Sequence, residues 1–261
     1  MRHLDLIKKL DHKSDRERLQ LIIAWLDHHP VTYRLQEYET GTNLIVDLGH
    51  SSKRTGISSH FDIVERSGGA NDNGSAIAVC LNIIERYIQK GDLNKGLRIF
   101  FFDEEETGLK GSEAYIEQYG VADLTGLINL ELVGMGNKLA LWPLNQSYPG
   151  RLLTAFEQSA RTENTAAIRF DKIVTNTADH LSFREAGLTD AFTVTCISDE
   201  DIQAAELYYK ALQRNTTGLS LYDLLHRAPV FMHYHKPSDT WEKLEESAME
   251  RVASVIWRTV A

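Results

Sequence analysis

Cysteine is almost missing from this chain: of 261 residues only Cys80 and Cys196 carry a thiol, far apart and each among apolar neighbours. That excludes a disulfide framework and a paired-cysteine metal knuckle, and both read as small buried hydrophobes. Proline is scarce at five residues, and neither a fixed-period repeat nor a low-complexity tract occurs. With no linker to divide it, residues 1–261 are expected to form one domain. Long apolar runs are missing too. Runs such as residues 21–26 and 99–102 fall far short of the roughly 18 residues of a membrane span. The opening Met-Arg-His-Leu-Asp-Leu-Ile-Lys-Lys places charges where an export signal needs its apolar stretch. A cytoplasmic chain with no membrane partner is expected. Basic charge is in deficit, 28 Lys and Arg against 37 Asp and Glu for a net −9, which argues against a nucleic-acid partner.

What is present is an ordinary globular mixture, 43% hydrophobic and 25% charged, which excludes disorder, collagen and coiled coil. The acidic excess either keeps the chain soluble or in part forms a cation site. Residues 15–26 read as an amphipathic helix closed by Pro30. Residues 31–38 and 44–48 are β-rich and joined by Glu-Thr-Gly-Thr-Asn, a hairpin or tight reversal. A short strand is expected at 55–60 and a helix at 74–89, with Ala76, Val79, Cys80, Ile83, Ile84 and Ile88 on one face. Residues 97–102 form an apolar run of the kind buried on both faces. Helices at 112–119, 149–161, 179–186 and 241–259 alternate with strands at 127–132, 168–174 and 191–195. This alternation predicts a three-layer α/β/α fold around a mixed, mostly parallel sheet. In such sheets the working residues sit beyond the carboxyl ends of the strands.

Chemistry collects at those ends. The strand at 55–60 ends in His60-Phe61-Asp62, the strand at 97–102 in Asp103-Glu104-Glu105-Glu106, and the strand at 127–132 contains Glu131. A turn, Gly69-Ala70-Asn71-Asp72-Asn73-Gly74, leads into the helix at 74–89, and His233-Tyr234-His235-Lys236-Pro237-Ser238-Asp239-Thr240 lies near the C-terminus. Taken singly, each has a plain structural reading: a strand-end turn, a helix N-terminal cap, a solvated strand edge carrying His233 and His235 on one face. Together, several carboxylates at close quarters repel unless cations hold them, and nitrogen plus carboxylate ligation suits zinc. One carboxylate can bridge two metals about 3.5–4 Å apart.

The order and context of these segments resemble peptidase family M28 (clan MH), the co-catalytic zinc aminopeptidases. The resemblance lies in the HxD of His60 and Asp62 and in Gly-Ala-Asn-Asp72-Asn-Gly-Ser. It continues through Glu105-Glu106-Thr-Gly-Leu-Lys-Gly-Ser, Asn-Leu-Glu131 and Tyr234-His235-Lys-Pro-Ser-Asp-Thr. Asp179-His180-Leu-Ser-Phe is similar to the family's DHxxF. The resemblance implies two Zn2+ sites, His60 with Asp72 and Glu131, and Asp72 with Glu106 and His235, bridged by Asp72. It implies Glu105 as general base, Asp62 as the group orienting His60, and Tyr234 at a position where some members place a phenol against the oxyanion. Many members have Asp where this chain has Glu131. The expected function is a di-zinc exopeptidase acting on peptides with a free N-terminus. The alternatives are a single-zinc glutaminyl-peptide cyclotransferase and a non-catalytic peptide-binding relative. Residues 199–230 are expected to form either a helical lid or pocket wall, or a plain surface excursion. His3, His12, His28, His29, His50, His226 and His233 are left as structural or solvated.

Overall fold

A capping box starts the first long helix. In the computed structural model, which describes residues 2–91, 95–171, 177–214 and 219–261, Ser14 and Glu17 bond reciprocally at the head of α2 (Asp15–Asp27). Before it lies α1 (His3–Leu10), a helix the composition of the N-terminus did not suggest. It buries His3, Leu6, Ile7 and Leu10, the spacing of one helix face. Then come β1 (Tyr33–Glu37), β2 (Thr42–Leu48) and β3 (Arg54–His60), a π-helical turn (Ala70–Ser75), α3 (Ala76–Lys90) and β4 (Gly96–Phe102). The chain continues through α4 (Lys110–Tyr119), β5 (Leu124–Leu130), β6 (Lys138–Trp142), α5 (Arg151–Thr162) and β7 (Ala167–Arg169). It ends with α6 (His180–Glu185), β8 (Ala191–Ile197), α7 (Asp199–Gln213), α8 (Leu219–Leu225), α9 (Pro229–Met232), a 3₁₀ turn (Trp241–Lys243) and α10 (Glu246–Val260).

The eight strands lie in the order β1-β2-β4-β3-β5-β8-β6-β7. The central β4, β3, β5 and β8 run parallel, while β1, β2 and β6 pair antiparallel toward the edges. The expected hairpin is present, with Leu35 opposite Leu44. Every residue of β4 is buried, and its side chains alternate between layers. Leu97, Ile99 and Phe101 pack with α1, α3, α5 and α10, whereas Phe100 and Phe102 pack with Tyr115 of α4 and Phe183 of α6. The α/β/α layering is thus built from one strand's two faces. Cys80 and Cys196 are buried and unpaired, and burial pushes both thiols up to about 12.

Three expectations are corrected. The segment holding His233 and His235 is no strand: after α9 it turns, with Lys236 N donating to His233 O at 3.1 Å and Asp239 N to Lys236 O at 3.0 Å. The helix expected at 241–259 is interrupted, because Leu244 is extended (φ −95°, ψ 156°) between the 3₁₀ turn and α10. The adjacent acids Glu105 and Glu106, expected from the sequence on an extended segment that points them opposite ways, lie instead on a turn with φ 53° at Glu104. Of the strand expected at 168–174, positions 172–174 lie outside the described residues. No helix among the described residues is long and apolar enough to cross a membrane.

Candidate metal centre

The parallel strands β3, β4 and β5 deliver their carboxyl ends to one place. His60 is the last residue of β3, paired with Phe102 at the end of β4, and Glu131 follows β5 directly. His60 Nε2 lies 3.4 Å from Asp72 Oδ1 and 3.3 Å from Glu131 Oε2. The other ring nitrogen, Nδ1, meets the Asp62 carbonyl oxygen at 3.1 Å and Asp62 Oδ1 at 3.2 Å. That pairing fixes the ring and leaves Nε2 aimed at the two carboxylates. Asp62 also accepts from Glu106 N at 3.0 Å, so one carboxylate braces two neighbouring groups.

Asp72 reaches inward because the π-helical turn breaks there, with φ −109° and ψ 91° at Asp72 and φ −124° and ψ 34° at Asn73. Asp239 holds the turn from behind, accepting from Asn71 N at 2.9 Å and from Asp72 N at 3.0 Å. On the far side, His235 Nε2 lies 3.2 Å from Asp72 Oδ2 and 3.2 Å from Glu106 Oε2. The two oxygens of Asp72 thus face two different imidazoles. Glu131 is steadied by Asn129 Nδ2 at 3.0 Å and Asn73 Nδ2 at 2.8 Å. Glu105 Oε2 stands 4.0 Å from His60 Nε2, and its side chain is only 11% exposed. Tyr234 stacks on His235 with centroids 3.6 Å apart. His60, Asp72, Glu105, Glu106, Glu131 and Tyr234 line one cavity of about 30 Å³, enough for a water.

The electrostatics follow from crowding acids in a place with little water. Burial, reinforced by Asp72, pushes Glu106 up to about 7. Burial also carries Glu105 well above the usual carboxylate range, with Glu131, Asp179 and Glu106 adding to it. His235 goes the other way: burial pulls it down, but Asp72 and Glu106 outweigh that and lift it to about 9. For Asp72, burial is outweighed by the imidazoles of His235 and His60, and its carboxyl falls below the usual range.

The donors fit zinc. Asp72 Oδ2, Glu106 Oε1 and His235 Nε2 are buried without a hydrogen-bond partner among the described residues, although they are crowded together. One donor atom each from His60, Asp72 and Glu106 lies within 4.8 Å of the others. Groups so close that do not hydrogen-bond to one another are placed to share a cation, and imidazole with carboxylate is a zinc donor set. The structure therefore brings together His60, Asp62, Asp72, Glu105, Glu106, Glu131, Tyr234 and His235. The supporting residues Asp239, Asn73 and Asn129 went unassigned. Asp239 and Asn73 sat inside quoted motifs, whereas no sequence signal marked the role of Asn129. Asp179 is fully buried beside this group and burial pushes it up to about 7. His180, also buried, meets Thr193 Oγ1 at 2.7 Å and is pulled down to about 3 by burial.

Residues 43–260 match the profile of Peptidase family M28. The chain belongs to that family. Aminopeptidase YwaD of Bacillus subtilis is 30% identical over 161 residues, 59% of this chain and 34% of the relative. A vacuolar membrane protease of Kluyveromyces lactis is 26% identical over 228 residues, 86% of this chain and 22% of the relative. The chain thus spans about a third or less of these M28 relatives. Among solved structures, a Porphyromonas gingivalis glutaminyl cyclase shares the fold with TM-score 0.72 and 18% identity, covering 99% of this chain and 93% of that one. A zinc aminopeptidase from Bacillus subtilis does so with TM-score 0.62 and 19% identity, covering 84% and 49%.

Proposed function

We propose that this M28 chain is a di-zinc aminopeptidase, removing the N-terminal residue from peptides. The observation that carries the reading is the divided carboxylate of Asp72, with one oxygen toward His60 and Glu131 and the other toward His235 and Glu106. His60, Asp72 and Glu131 would hold one zinc, and Asp72, Glu106 and His235 the other. Zinc, when bound, would supply Lewis acidity there, lowering the pKa of a water toward about 7 and polarising a carbonyl. Glu105, in the cavity but paired with no second imidazole, takes the water's proton and returns it to the leaving amine. Asp62 keeps His60 in one orientation. Tyr234 carries a phenol at the cavity wall, suited to donating to the oxyanion. The acidic surroundings favour a free α-amino group.

Beside the cavity lies a second hollow of about 70 Å³, sharing Trp142, Thr195 and Phe231 with it and otherwise lined largely by apolar side chains of α7, α8 and α9. It suits a large aliphatic or aromatic N-terminal side chain. On this reading α7, α8 and α9 form the pocket wall expected of residues 199–230, of which 215–218 lie outside the described residues. The full-length fold match to a glutaminyl cyclase supports a second reading, a single-zinc cyclotransferase. One experiment separates them: aminoacyl-coumarins assayed for release beside Gln-coumarin assayed for cyclisation, with zinc counted on the same sample. Leu or Phe release with two zincs supports the peptidase. Cyclisation of Gln with one zinc replaces it by the cyclase, and neither activity leaves the peptide-binding relative.

A further inference from the structure

Among the described residues Arg18 is the largest fully buried polar side chain, at 0% exposure, on the face of α2 that also buries Ile22 and Leu26. Its position would ordinarily take an aliphatic residue. Burying a guanidinium costs several kcal/mol unless partners compensate, yet Nε and Nη2 have no hydrogen-bond partner among the described residues. Nη1 makes one bond, to the carbonyl oxygen of Gly69 at 2.9 Å. That same oxygen accepts from Gly74 N at 3.0 Å, so it is the pivot on which the turn carrying Asp72 closes. The turn is shaped around the guanidinium. A Cβ at Gly69, where φ is +70°, would sit 2.3 Å from Arg18 Nη1, and one at Gly74 would sit 3.5 Å from Nη2.

The carboxylates acting most strongly on Arg18 are Asp72, Asp15, Asp239 and Asp62. Asp62 orients His60, Asp239 holds the backbone of Asp72, and Asp15 on α2 accepts from Ile63 N at 3.0 Å. One buried cation thus stands behind the whole rear wall of the site. It also lies outside residues 43–260, the part that matches the family.

We propose that Arg18 is a positioning residue for the zinc site, holding the 69–74 turn from beneath so that both oxygens of Asp72 stay aimed at their imidazoles. The inference rests on the zinc-site reading above. Its sign is diagnostic. Coulomb repulsion alone would make removal of a nearby cation tighten zinc binding, whereas loss of the turn's anchor weakens it. Loss of an outer support costs roughly 10–100-fold in metal affinity.

The test compares wild type with R18M, zinc-stripped, with folding checked by circular dichroism. Zinc affinity is measured by competition with a chromophoric chelator, and Tm is taken with and without zinc. R18M is expected to bind zinc about 10–100-fold more weakly and to gain less Tm on zinc addition than wild type. Should R18M not fold, R18L, which likewise removes the donor to Gly69 and leaves an apolar side chain on the face that buries Ile22 and Leu26, is judged by the same criteria. Unchanged or tighter zinc binding, or equal Tm losses with and without zinc, overturns the positioning role and leaves the zinc site standing. A wild-type chain that takes up no zinc overturns the proposed function and this inference with it.

Discussion

Glu105 and Glu106 are adjacent but touch different things. Glu106 faces His235 at 3.2 Å with its backbone pinned to Asp62, whereas Glu105 reaches no nearer than 4.0 Å to His60. Glu105→Gln is therefore expected to keep zinc and lose about 10²–10⁴-fold in kcat, the usual worth of general-base catalysis. Glu106→Gln is expected to lose metal. Metal analysis and kcat on both variants check this, and the reverse pattern would put the base at Glu106. Glu131 is longer than the Asp common at its position in the family, and the chain has built around that length. Asn129 and Asn73 grip its two oxygens, so Glu131→Asp must break one grip or the approach to His60. Zinc titration of the stripped variant should show the His60 site altered by at least about 10-fold and the Glu106–His235 site nearly unchanged. Equal effects on both sites would make Glu131 a bystander.

Elements set what the site can accept. Ala205 on α7 lines the apolar hollow and is only partly buried, so Ala205→Phe can fill it without overpacking the core. Such a filling removes room the substrate's side chain would use. KM for Leu and Phe substrates is expected to rise about 10-fold or more, as losing a methylene or two of apolar contact implies, with kcat for Ala substrates little changed. Unchanged KM values for all three would mean the hollow is not a side-chain pocket. The elements also show what could be read in advance. β4 was legible because a strand buried on both faces reads as an apolar run at 97–102, and His60 and Glu131 were legible because they stand at strand ends, whereas Asp72 and His235 lie on turns and were legible only through their motifs. α1 was not, since eight residues make a marginal helix alone. Its head is capped from the other end of the chain, Glu246 accepting from His3 N and Leu4 N at 2.9 Å. His235 was misplaced on a strand because His-Tyr-His mimics alternation, while its φ of 57° belongs to a turn. Arg18 was invisible as part of the site because its partner is a backbone carbonyl 51 positions away.

At the scale of the whole molecule, the site couples stability to pH and to metal. Glu106 rises from 4.5 to about 7 on folding. The unfolded chain ionises it first, so stability falls as pH climbs through that interval. His235 rises from 6.5 to about 9. Its contribution is fully present below 6.5 and is lost as pH climbs toward about 9. His60, Glu105 and Glu131 are also raised and act in the same direction. Asp72 is lowered, so its contribution disappears only in acid, below its ordinary 3.8. The zinc-stripped chain is therefore expected to lose Tm steadily from about pH 5 to about pH 9. Zinc needs the imidazoles neutral and the carboxylates ionised, so it replaces those protons and binds better as pH rises. The Tm gained on zinc addition should widen across the same interval in which the stripped chain weakens. Calorimetry of stripped and zinc-saturated protein at several pH values reads both trends together. A stripped-chain Tm that stays level or rises toward alkaline pH would show that Glu106 and His235 do not carry these shifts. A zinc-induced gain that shrinks with pH would show that the metal is held by groups other than these imidazoles and carboxylates.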